Sequence, residues 1–80
     1  MNNKYYNQVR EFHQAFNHPI QDNPTLLHSE RAKARYDWMI EECNEFIESN
    51  TVEEQADAMI DLIYFAIGTL VEMGVKPDAL

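Results

Sequence analysis

Residues 36–74, YDWMIEECNEFIESNTVEEQADAMIDLIYFAIGTLVEMG, decide the fold. Tyr36, Met39, Ile40, Cys43, Phe46 and Ile47 recur at helical spacing, and Ala32 extends the stripe backward. The run fades at Glu48-Ser49-Asn50, and Thr51 opens another, where Thr51-x-x-Glu54 fits a capping box. Gly74 is a natural residue just past a helix end, with Pro77 beyond it. Two helices joined by so few residues are expected to be antiparallel neighbours. The second of them has two apolar faces. Val52, Ala56, Met59, Ile60, Ile63, Ile67 and Leu70 form one; Leu62, Phe65, Ala66 and Val71 cover much of the remainder. A helix apolar nearly all round is expected to be buried all round, and three short helices cannot surround it. The expectation is an all-α fold: an antiparallel helical hairpin plus an N-terminal helix, oligomerising as a homodimer or homotetramer into a four-helix-bundle core.

Outside that stretch, Tyr5, Val9, Phe12 and Phe16 mark an N-terminal helix ended by Asn17-His18-Pro19. Tyr5, Phe12, Phe16 and Tyr36 are expected in the core. Ser29 is the expected N-cap of the next helix. The 80 residues allow one domain, and a domain this small has a marginal core. Cys43 is the only cysteine, so no internal disulfide supplies the deficit; metal binding or oligomerisation remains. Six Lys+Arg against fourteen Asp+Glu give a net charge of −8. That balance argues against a nucleic-acid binder and against adhesion to an anionic membrane. No apolar run approaches the ~18 residues of a membrane span, and the N-terminus lacks the apolar stretch of a signal peptide. A reducing cytoplasm is the expected setting.

The charge is uneven. Between residues 36 and 75 there is no lysine or arginine, and ten acids. An ordinary solvated helix intersperses both signs to form i,i+4 pairs, so these anions need another partner. With Asn50 as the hairpin tip, Glu45 lies five residues before it and Glu54 four after; Glu42 lies eight before and Asp57 seven after. At about 1.5 Å rise per residue, each pair sits at nearly one height. Glu42 and Glu45 share a helix face, as do Glu54 and Asp57. Glu48 and Glu72 fall off this groove by register. Two unit charges 4 Å apart repel by about 4 kcal/mol at an effective dielectric of 20. Either some acids stay protonated or a cation sits among them, and all-oxygen ligation selects Mg²⁺ or Mn²⁺, with Ca²⁺ also open. Asp57 and Asp61 lie in mid-helix, where aspartate is a poor former and the i,i+4 pair repels. Glu54 alone is explained equally well by the capping box. His13, His18 and His28 form no ligand pattern.

Glu41-Glu42-Cys43-Asn44-Glu45 followed by Glu54-Gln55-Ala56-Asp57 resembles the E-E-x-x-E … E-x-x-D signature of the all-α nucleoside triphosphate pyrophosphatases. These are the MazG-like proteins, with phosphoribosyl-ATP pyrophosphohydrolases and dimeric dUTPases as relatives. The resemblance runs from about Tyr5 onward, making residues 1–80 a single MazG-like domain. It implies hydrolysis of an α–β phosphoanhydride, giving a nucleoside monophosphate and pyrophosphate. It implies Mg²⁺ held by Glu42, Glu45, Glu54 and Asp57, with Glu41 and Asp61 as outer candidates. Two departures stand out: the eight residues between the signature halves are fewer than the family usually has, and the chain stops where many relatives continue into a helix with basic residues. That stop suggests a minimal or truncated form.

On this reading the carboxylates hold metal that grips the phosphates and activates a water. Glu41 or Glu45, not fully used by metal, orients or deprotonates that water. Arg31, Lys33, Arg35 and Lys76 are the candidate cations for the substrate's phosphates. Trp38 falls off the apolar stripe, so it is expected to line an interface or pocket. The alternative function is a non-catalytic helical module for dimerisation or regulation that keeps the fold.

Overall fold

The computed structural model describes residues 1–79; Leu80 lies outside the described residues. Three α-helices follow in order: α1 (Lys4–Ala15), α2 (Ser29–Glu48) and α3 (Val52–Met73), with a short 3₁₀ turn at Pro77–Ala79. No strand occurs among the described residues. The chain forms two compact units, Met1–Leu27 with Ile67–Leu80, and His28–Ala66.

The first unit holds α1, the loop after it and the end of α3. Both helices stop where a left-handed residue lets the chain turn back. Asn17 has φ 60°, and the His18 amide donates to the His13 carbonyl. Gly74 has φ 70°; the Gly74 amide donates to Val71 and the Val75 amide to Leu70, a Schellman ending. The loop is laced to this second ending, with the Gln21 amide on the Val71 carbonyl and the Thr25 amide on the Met73 carbonyl. Gly74 is required twice over. A Cβ there would collide with the Asn23 carbonyl oxygen and lie 2.9 Å from that of Gln21, and its φ disfavours any side chain. Gly74→Ala is therefore expected to cost at least about 2 kcal/mol, read as a lower urea midpoint at unchanged slope.

The face that α1 buries differs from the expected one. Tyr6, Val9 and His13 are buried, whereas Tyr5, Phe12 and Phe16 are exposed. Tyr6, Val9 and His13 follow i, i+3, i+7, an equally good helical stripe one residue out of phase. His13 is a usable core residue because its Nδ1 lies 2.9 Å from the Pro19 carbonyl oxygen, so its polar edge is not left bare. Phe12 and Phe16 stack on each other instead, with centroids 4.5 Å apart.

The second unit is the hairpin of α2 and the first four turns of α3. Ser29 is the first helical residue rather than the cap. The Ala32 amide bonds to the His28 carbonyl, which makes His28 the cap, and no side chain assists. At the other end Thr51 does cap: the Glu54 amide donates to Thr51 Oγ1 at 3.1 Å. The Glu54 carboxylate reaches back to the Asn50 amide at 3.4 Å, one residue earlier than a capping box requires.

Only Arg35, Glu42 and Ala58 are buried in this unit, and two of the three are charged. The apolar stripe read from the sequence faces outward in the single chain. Tyr36 and Ile47 on α2 are 56% and 76% exposed; Ile60 and Ile63 on α3 are 61% and 56% exposed. Tyr36 is thus not in the core of the chain, and the middle of α3 is not covered all round.

Candidate active site

Opposed residues along the hairpin set its register. The Trp38 and Phe65 rings lie 5.9 Å apart, and Glu42 feels the charge of Asp61. Glu42 therefore faces Asp61, one turn further along α3 than the expected Asp57. Side chains lean toward the N-terminus of their own helix. On α2 that lean is away from the turn and on α3 toward it, so the α3 residue meeting Glu42 lies further from the turn than Cα heights indicate.

An open cleft of about 480 Å³ runs along this seam near the turn. Glu45 and Glu48 line it from α2, Glu54, Asp57 and Asp61 from α3, with Ser49 at the end. The unit carries ten acids against three cations. Glu45, Glu54 and Asp57, three of the four acids expected in register, are thus brought together, and the outer candidate Asp61 lines the cleft where Glu42 does not. Glu48, expected off the groove, is in it. Its position in the last turn of α2 brings it level with Glu54 once the lean is included. Glu72, also expected merely off the groove, is buried at the far end of α3.

Glu42 does not line the cleft; it shares a hydrogen bond with Glu45, which does. Glu42 is 9% exposed, and its Oε2 is buried without a hydrogen-bond partner. Burial pushes its carboxyl above the ordinary range. A carboxyl–carboxyl hydrogen bond, donated by protonated Glu42 to Glu45, and the charges of Glu45, Asp61 and Glu41 push it the same way. Glu41 is exposed and outside the cleft lining. Among the described residues no three His, Cys, Asp or Glu side chains stand close enough to hold one metal ion together.

The candidate phosphate-binding cations separate. Lys33 spends its charge on both oxygens of Asp37, at 2.7 and 2.9 Å. Arg35 is buried, with its guanidinium 5.1 Å from the Trp38 ring centre; that of Arg31 lies at 5.2 Å. Lys76 belongs to the other unit, where it lines a cleft of about 220 Å³ with the Arg10–Asp22 ion pair. Tyr64, beside Phe65, has its hydroxyl pushed up by burial, against the opposing pull of Arg35.

An all-α hairpin that converges carboxylates from E-E-x-x-E and E-x-x-D on one cleft is the framework of a phosphoanhydride hydrolase. The chain belongs to the phosphoribosyl-ATP pyrophosphohydrolase family, whose model matches residues 9–80. It is a pyrophosphohydrolase of a nucleotide-like substrate by that membership, and families of this kind typically depend on a divalent metal. No individual curated protein matches it. No helix among the described residues is long and apolar enough to cross a membrane.

Proposed function

We propose that this protein is a Mg²⁺-dependent nucleoside triphosphate pyrophosphohydrolase, releasing a nucleoside monophosphate and pyrophosphate, with house-cleaning of nucleotides as its role. The observation that carries the reading is buried Glu42, its Oε2 unpartnered, hydrogen-bonded to Glu45 of a cleft lined by five acids. An orphaned carboxylate oxygen in such a field is costly, and a hard cation nearby removes the cost. The donors are all oxygen, which suits Mg²⁺ or Mn²⁺. Mg²⁺ needs only one or two carboxylates, because water and substrate phosphates complete its shell. A cleft without a ready-made three-residue chelate is consistent with that habit.

From the set Glu42, Glu45, Glu54, Asp57 and Asp61, one or two carboxylates would hold the metal directly, with water and substrate phosphates completing its shell. When bound, it supplies charge neutralisation and acidifies a water. Glu45 both lines the cleft and shares a hydrogen bond with Glu42, so it is placed to orient the attacking water and take its proton. Glu41, outside the lining, is the weaker base. Lys33 is paired and Arg35 buried, and Arg31 stands beside Trp38, two heptads from Glu45. Lys76 contributes only if the substrate reaches the other unit.

We further propose a homodimer or homotetramer. Unit His28–Ala66 buries one apolar residue and leaves Tyr36, Ile40, Ile47, Val52, Ile60 and Ile63 open to solvent. By helical spacing these point away from the carboxylates, so a second copy can cover them and leave the cleft accessible. The lone Cys43 thiol, exposed in the chain, fits a reducing cytoplasm.

The test is pyrophosphate release from a panel of nucleoside triphosphates, phosphoribosyl-ATP among them, with Mg²⁺ and with chelator. Mg²⁺ at a hundred times its dissociation constant is expected to add about 2.7 kcal/mol to stability. No release from any substrate, together with an unchanged melting temperature, would leave the non-catalytic module.

A further inference from the structure

Trp38 is the chain's single tryptophan, and it stands on the acidic face of α2 rather than on its apolar stripe. Arg31, Trp38 and Glu45 recur every seven residues, so they stand one above another with about 20° of drift per step. Glu45 lines the carboxylate cleft. Trp38 is part-exposed, one heptad from Glu45, with the guanidiniums of buried Arg35 and part-exposed Arg31 5.1 and 5.2 Å from its ring centre and the Phe65 ring across the seam at 5.9 Å. One face of α2 thus carries a cleft-lining carboxylate and, one heptad away, an aromatic and cationic cluster. Seven residues at about 1.5 Å rise make about 10 Å, a length that a nucleoside spans between its phosphates and its base.

We infer that Trp38, with Arg31 beside it, is the ledge on which the substrate's nucleobase stacks, while the polyphosphate lies over Glu45, Glu54 and Asp57. The inference rests on the pyrophosphohydrolase reading for the polyphosphate end. Every base has a π-face, and indole rings and guanidinium planes both accept stacking without reading the base's hydrogen-bonding edge. The ledge therefore favours nucleotides over bare polyphosphate and tolerates several bases. Trp38 is a binding residue, separate from the water-activating end.

A single tryptophan makes the test direct. Fluorescence of the full chain is titrated, with Mg²⁺, against a nucleoside triphosphate and against tripolyphosphate. The nucleotide is expected to quench Trp38 and tripolyphosphate is not. Trp38→Leu is expected to raise KM for the nucleotide by about tenfold or more, leaving the inhibition constant of tripolyphosphate unchanged; Trp38→Phe, which keeps an aromatic plane, restores most of the loss. If Trp38→Leu fails to fold, the quenching contrast in the parent protein decides alone. Equal quenching by both ligands overturns the ledge, because Trp38 then senses only phosphate or metal. Turnover with a silent Trp38 and an unchanged KM in Trp38→Leu overturns it while the hydrolase stands. Selective quenching by nucleotide without pyrophosphate release keeps the ledge and removes the hydrolase. Neither quenching nor release removes both.

Discussion

Glu42→Gln is expected to lower kcat/KM for pyrophosphate release by at least about a hundredfold and to abolish stabilisation by Mg²⁺. The change removes one charge and almost no volume. The same substitution should stabilise the metal-free protein by about 1 kcal/mol, because it takes a buried, poorly partnered carboxylate out of a like-charged field. The pH dependence follows from the direction of the shift. Burial and neighbouring acids raise Glu42 above its ordinary 4.5 in the fold. Between that value and the raised one, the native state binds more proton than the unfolded chain. Its stability contribution is therefore present at the acid end and lost as pH rises through the window.

Urea melts of the metal-free protein should show that decline, and Glu42→Gln should flatten it. Glu30→Gln and Glu53→Gln are the controls, being exposed and outside the cleft lining. Glu48→Gln is not a control, since Glu48 lines the cleft. Controls that weaken Mg²⁺ as much as Glu42→Gln would reduce the cation to a diffuse counterion.

Ile63→Glu is expected to dissociate the assembly, weakening self-association at least a hundredfold, and to lower helicity as it does so. A stable interface removes about 800 Å² from each partner. Six large apolar side chains, between 39% and 83% exposed, put an area of that order on one side of the hairpin. A carboxylate placed there is solvated in the lone chain and desolvated in the assembly, which concentrates the penalty on association. Helix loss should accompany it because unit His28–Ala66 buries almost no apolar residue alone. Ile60→Glu should behave likewise, and Glu53→Gln should not. Sedimentation velocity with circular dichroism across a dilution series reads both effects. A fully helical, dilute monomer of the parent chain would remove the assembly.

Local chemistry carried much of this protein in the sequence. The 3.6-residue period, Asn17-His18-Pro19, Thr51 and Gly74 act within one or two helical turns, so they marked three helices and most of their ends without tertiary information. The clustering of Glu45, Glu54 and Asp57 was legible because a short connection forces antiparallel neighbours; Asp61 entered only as an outer candidate. The E-E-x-x-E … E-x-x-D spacing named the family.

What needed the tertiary structure was every choice between faces. A period reports that one face is apolar, not which of two adjacent faces meets a neighbour. Tyr6, Val9 and His13 took the core from Tyr5, Phe12 and Phe16 because the Pro19 carbonyl meets the His13 ring. The lean of side chains toward helix N-termini moved Glu42 opposite Asp61 and drew Glu48 into the cleft. The Lys33–Asp37 pair, at i,i+4, is local to α2, but burial of Arg35 depends on which atoms of other elements lie within a few ångströms. Those contacts are set only once the helices have packed.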